Sequence, residues 1–124
     1  DSKEYDTFVV AYLLFNPALK PKKDMEVTFE NHIKAAMSPM IAFWGTKDKW
    51  LTGWKSACEK MQSLENESIE WWTAQGQSHG FFKRKPWKDL TIIAADKFLK
   101  KYGLIEGEVT LPAPENGEKL IKTL

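Results

Sequence analysis

Residues 38–50 read SPMIAFWGTKDKW. Pro39 admits only an extended entry, because its ring disfavours helical backbone in the residue before it. Met40–Trp44 is then an apolar strand-like run, and Gly45–Lys49 carry the chain into a turn. A second loop, GQSHGF at 76–81, follows another strand-like run, Ser68–Thr73. The two loops place an acid, Asp48, and a histidine, His79, at the same end of neighbouring strands.

Upstream, Phe8–Phe15 (FVVAYLLF) is continuous, apolar and rich in β-branched and aromatic residues. Such a run fits a strand buried on both faces of a parallel sheet. Asn16-Pro17 ends it, and the Pro- and Lys-rich residues 18–24 form a loop. Met25–Met37 carries a weaker helical pattern, with Phe29, Ile33, Ala36 and Met37 on one side. Gly53–Leu64 is a clear amphipathic helix, with Trp54, Ala57, Cys58, Met61 and Leu64 at helical spacing. Residues 74–86 form a loop, and Pro86 suits the first turn of a last helix, where its missing N–H needs no partner. That helix extends to about Tyr102, and Gly103-Leu104 reads as a glycine stop with a hydrophobic contact behind it. Residues 107–124 form a tail or a docked extension.

Strand–helix–strand–helix–strand–helix implies right-handed crossovers and a parallel sheet with helices on its faces. In such sheets ligands bind outside the carboxyl ends of the strands. Asn16, Asp48 and His79 all fall at those ends.

The composition is that of an ordinary globular domain: 124 residues, 43% apolar, 28% charged, net charge +1. The charges are mixed, which argues against a nucleic-acid partner. No run approaches the roughly 18 apolar residues of a membrane span. Cys58 is the sole cysteine, so no intrachain disulfide forms, and its place on an apolar helix face marks it as a small buried hydrophobe. No histidine or cysteine pair has metal-ligand spacing, and no cofactor is expected.

LLFNPAL (13–19), SPMIAFWGTKDKW (38–50) and GQSHGFF (76–82) together resemble the C-terminal third of α/β-hydrolases, in particular the dienelactone hydrolase and acetylxylan-esterase/carboxylesterase group. The likeness covers roughly residues 7–104. It implies an α/β fold: a three-stranded parallel sheet with flanking helices, corresponding to the last three strand–helix units of that fold. Residues 1–106 would be the partial hydrolase-like domain and 107–124 an extension. The resemblance makes Asp48 the acid and His79 the general base of a Ser–His–Asp triad acting on carboxylic esters, acetylated sugars among them. Asn16, Trp44, Trp50, Phe81 and Trp87 become the candidate substrate-binding residues.

The nucleophile motif of that family is missing. Gly76–Gly80 spells G-x-S-x-G around Ser78, but a nucleophile elbow needs a helix directly after it and a histidine from elsewhere. The chain is therefore expected to hold the acid and base without the nucleophile, and to be inactive by itself. Its expected partner is the upstream half of a hydrolase domain or a second copy of the chain; any signal sequence would lie upstream, so the compartment is unreadable. The alternative is a non-catalytic assembly unit that associates through the exposed edge of Phe8–Phe15. A third reading gives Asp48 and His79 to a minimal enzyme using water or a metal.

Plainer roles stand beside these. Asp48 could serve a helix N-terminus, and His79 could be an ordinary loop histidine. Trp71 and Trp72 are strand neighbours and should point to opposite faces. His32, Glu67, Glu70 and the Lys83-Arg84-Lys85 run read as surface or strand-start residues.

Overall fold

The computed structural model describes residues 11–15, 38–65, 67–107, 111–114 and 117–123. Within these, Tyr12–Phe15 forms β1, Met40–Gly45 β2, Leu51–Ser63 α1, Ile69–Ala74 β3, Trp87–Lys101 α2 and Leu120–Lys122 β4, with a 3₁₀ turn at Phe81–Lys83. The helix expected over 25–37, Asn16 and His32 lie outside the described residues.

The sheet runs β1-β2-β3-β4. β1 pairs parallel with β2, Tyr12 opposite Met40, and β2 pairs parallel with β3, Met40 opposite Ile69. This is the expected α/β sheet, with one correction: β4 adds an antiparallel fourth strand against β3, Ala74 opposite Leu120, so the sheet is mixed. The open backbone edge of β3 supplies the reason, since its unpaired amides and carbonyls accept any extended segment within reach.

Alternation across the pleat divides the core in two. Met40, Ala42, Trp44 and Trp71 face α1, where they pack with Trp54, Ala57, Cys58 and Met61. Ile41, Phe43 and Ala74 face α2, where they pack with Phe81, Trp87, Ala95 and Phe98. Trp72 packs against this second cluster, so the two adjacent tryptophans do serve opposite faces. Every residue of β2 is buried, as befits a central strand, whereas β1 is only partly covered and exposes 40% of Leu13.

The α1 stripe is buried at Trp54, Ala57, Cys58 and Met61 but not at Leu64, which caps the helix and stays exposed. Burial pushes the Cys58 thiol up to about 12, consistent with a packing role. The glycine stop of α2 is a Schellman arrangement: Gly103 N–H donates to the Lys100 carbonyl and Leu104 N–H to the Leu99 carbonyl. Pro86 caps α2 rather than opening its first turn. No helix among the described residues is long and apolar enough to cross a membrane.

Candidate active site

Two loops meet at the carboxyl ends of β2 and β3, and backbone contacts fix their approach. Thr46 N–H donates to the Ala74 carbonyl at 3.1 Å, and Lys47 N–H to the Gln77 carbonyl at 2.9 Å. Gly76 N–H donates to Thr46 Oγ1 at 2.7 Å. The approach is so close that a Cβ on Gly45 would lie 2.2 Å from the Gln77 carbonyl oxygen. Gly45 is therefore glycine for space. Gly76 and Gly80, with φ of 75° and 84°, are glycine for backbone conformation instead.

Asp48 sits at the turn between β2 and α1 and uses both carboxylate oxygens. Oδ1 accepts the Trp50 N–H at 2.9 Å, tying down the entry to α1. Oδ2 lies 3.0 Å from Nδ1 of His79. The Asp48 side chain is fully buried while that of His79 is 53% exposed. The helix-start role and the histidine-partner role are thus both realised in one carboxylate. With Nδ1 held by Asp48, Nε2 is the ring nitrogen left to meet another group.

The other candidates are placed differently. Trp44 and Phe81 are wholly buried, and Trp87 nearly so. Trp44 stacks on Trp54 at 5.8 Å, and Phe81 meets Trp87 edge-on at 5.9 Å. For these three the structure shows core packing in place of a pocket wall. Trp50 alone among the described substrate candidates keeps surface near Asp48, with the Lys49 ammonium 4.9 Å from its ring centroid.

Ser78 is exposed in the turn after β3. A 3₁₀ turn follows it and α2 begins only at Trp87, so the strand–elbow–helix arrangement of a nucleophile is not formed there. Among the described residues no group of three or more His, Cys, Asp or Glu side chains could hold a metal ion.

Sequence reasoning found Asp48 and His79 through their glycine-bearing loops. It missed the clamp of Gly45 and Thr46 on the 74–78 loop, because that contact partner is remote in sequence. The Gly-Thr pair itself was the available signal.

No protein-family model and no curated protein matches this sequence. The structure is similar to solved structures of esterase 2 from the planctomycete Thermogutta terrifontis, described as a thermophilic esterase. The native form matches with a TM-score of 0.68 and 31% identity over 80% of this chain and 45% of that one. The propionate-bound form matches with a TM-score of 0.68 and 26% identity over 81% of this chain and 45% of that one. The form phosphorylated by paraoxon matches with a TM-score of 0.71 and 26% identity over 87% and 46% of the respective chains. This chain thus spans under half of the esterase's length, and its fold is a partial α/β fold similar to part of that enzyme.

Proposed function

We propose that these residues are the acid-and-base portion of a serine hydrolase of carboxylic esters. The observation that carries the reading is the contact of the buried Asp48 carboxylate with His79 Nδ1, at the carboxyl ends of paired parallel strands. The likeness to an esterase supports it. The loop motifs favour the dienelactone hydrolase and acetylxylan-esterase group, and with it acetylated sugars as substrates.

The chemistry follows from the pair. Asp48 accepts the Nδ1–H of His79 and so leaves Nε2 unprotonated. Nε2 takes the proton of a serine hydroxyl as its oxygen bonds to the ester carbonyl carbon. The imidazolium, steadied by Asp48, then gives that proton to the departing alkoxide. Water repeats the sequence on the acyl-serine and releases the carboxylic acid. In this reading the serine and the oxyanion donors are supplied by polypeptide outside these 124 residues. Trp50, partly exposed next to Asp48, is the candidate aromatic contact for substrate in this reading.

The test is intact mass after incubation with a fluorophosphonate, beside a p-nitrophenyl ester assay. The isolated chain should take up no label and turn over no ester beyond its His79→Ala variant. Joined to a nucleophile-bearing half, it should label on that half's serine. His79→Ala should then lower kcat by about 10⁶-fold, the scale of losing a triad histidine. An adduct on Ser78, or a joined protein indifferent to His79→Ala, would overturn the proposal.

A second reading, an assembly unit without catalysis, draws on β1. Its outer edge pairs with no strand among the described residues, and Leu13 is exposed there.

A further inference from the structure

At the sheet edge opposite β1, a cavity of about 420 Å³ opens between α2, β3 and β4. Its size lies within the range of small-ligand sites. Trp72, Ile93, Phe98 and Leu120 give it an apolar floor. Lys97, Lys101, Lys119 and Lys122 stand around it, drawn from both α2 and the β4 segment. The lining contains one carboxylate, that of Glu70, and its Oε2 is engaged by the Trp72 indole N–H at 2.8 Å.

The helix builds this surface by spacing. Leu90, Ile93, Ala94, Lys97, Phe98 and Lys101 fall on one face of α2, apolar in its first half and cationic towards its end. β4 repeats the pairing of types, with Leu120 and Lys122 two residues apart on one side of the strand. The Lys122 ammonium stands 5.9 Å from the Trp72 ring centroid. Lysine stems often lie down to cover apolar surface. Here the Lys122 stem reaches over Trp72, while Ile93, Phe98 and Leu120 also line the cavity.

We propose that this cavity binds a small amphiphile with one anionic group and an apolar body, such as a medium-chain or aromatic carboxylate. The apolar floor takes the body, and the exposed lysines take the charge through charge-assisted hydrogen bonds, which are stronger than neutral ones. A neutral molecule of the same shape gains only the floor. A bare inorganic anion gains only the lysines. The site is separate from the Asp48–His79 pair and does not depend on the hydrolase reading.

The experiment uses 1-anilinonaphthalene-8-sulfonate, whose fluorescence rises in apolar surroundings, and its uncharged counterpart N-phenyl-1-naphthylamine. The anionic dye should bind, and octanoate should displace it at concentrations at least ten-fold below those needed with octanol or sulfate. The Lys97→Glu/Lys122→Glu variant should weaken the anionic dye ten-fold or more and change the neutral dye less than three-fold. Should that variant fail to fold, the unmodified chain still decides the matter. In its ¹⁵N spectrum the Trp72 indole resonance should shift on octanoate addition. Equal displacement by octanoate and octanol, dye binding indifferent to the lysine reversals, or a silent Trp72 indole would each overturn the proposal.

Discussion

Asp48 and His79 stand 31 residues apart in sequence and meet at 3.0 Å, Oδ2 to Nδ1. Their environments differ: the carboxylate is fully buried, the imidazole about half exposed. The buried partner is the fixed one, because its other oxygen holds the Trp50 N–H at the start of α1. The exposed partner is thereby oriented by the scaffold, and Nε2 is the ring nitrogen that Asp48 does not hold.

Replacing Asp48 separates its two jobs. Asp48→Ala removes both contacts and should cost about 1–3 kcal/mol, the scale for leaving buried donors unsatisfied. Asp48→Asn keeps an acceptor for Trp50 N–H and should cost roughly half as much. Urea denaturation measures the difference, and His79 ring-nitrogen shifts should change in both variants. Unchanged ring shifts would show that the carboxylate does not hold the imidazole in solution.

Gly45→Ala should destabilise the chain by more than about 2 kcal/mol, since its Cβ meets backbone and something must shift. Gly76→Ala meets nothing and bears only left-handed strain, about 1 kcal/mol. Thermal unfolding of the pair should rank them in that order, with displaced His79 amide resonances in the first. A milder Gly45→Ala would mean that the two loops are further apart.

Cys58 should resist a thiol reagent at pH 8 in the folded chain and react promptly in urea. Its thiol is pushed up from 9.0 to about 12 by burial, so the fold retains the proton that the unfolded chain gives up. The associated stability is complete below about pH 9 and is lost as pH rises towards 12. Cys58→Ala should remove that alkaline slope, and a slope that persists would assign it to other groups.

The outer edge of β1 should drive association. Light scattering should show mass rising with concentration, and Leu13→Lys, a charge on an exposed edge strand, should return the chain towards monomer. A monomer at all concentrations in the unmodified chain counts against the assembly reading.

Much of the fold was legible because its signals are local. Met40–Gly45, Leu51–Ser63 and Ile69–Ala74 lie within two residues of the segments read from apolar runs and helical spacing. The opposite facing of Trp71 and Trp72 follows from strand geometry alone. The Gly103 stop is equally local, because its hydrogen bonds return to carbonyls within one turn. Helical spacing extends the α1 stripe one turn too far, to the exposed Leu64, since it does not say where the partner surface ends. Leu120–Lys122 gave no strand signal of its own, because the pairing is supplied by the edge of β3.

For the site, the sequence by itself determined which side chains stand at the carboxyl ends of β2 and β3, through the strand–turn order that carries Asp48 and His79. Only the tertiary structure decided that they touch, that Asp48 divides its oxygens between His79 and α1, and that Gly45 must lack a side chain. It also decided that Trp44, Phe81 and Trp87 fill the core and that four lysines surround one apolar cavity. The physical reason is range. Period and turn chemistry act over a few residues, whereas contact, burial and the sharing of a carboxylate depend on how remote backbone segments pack.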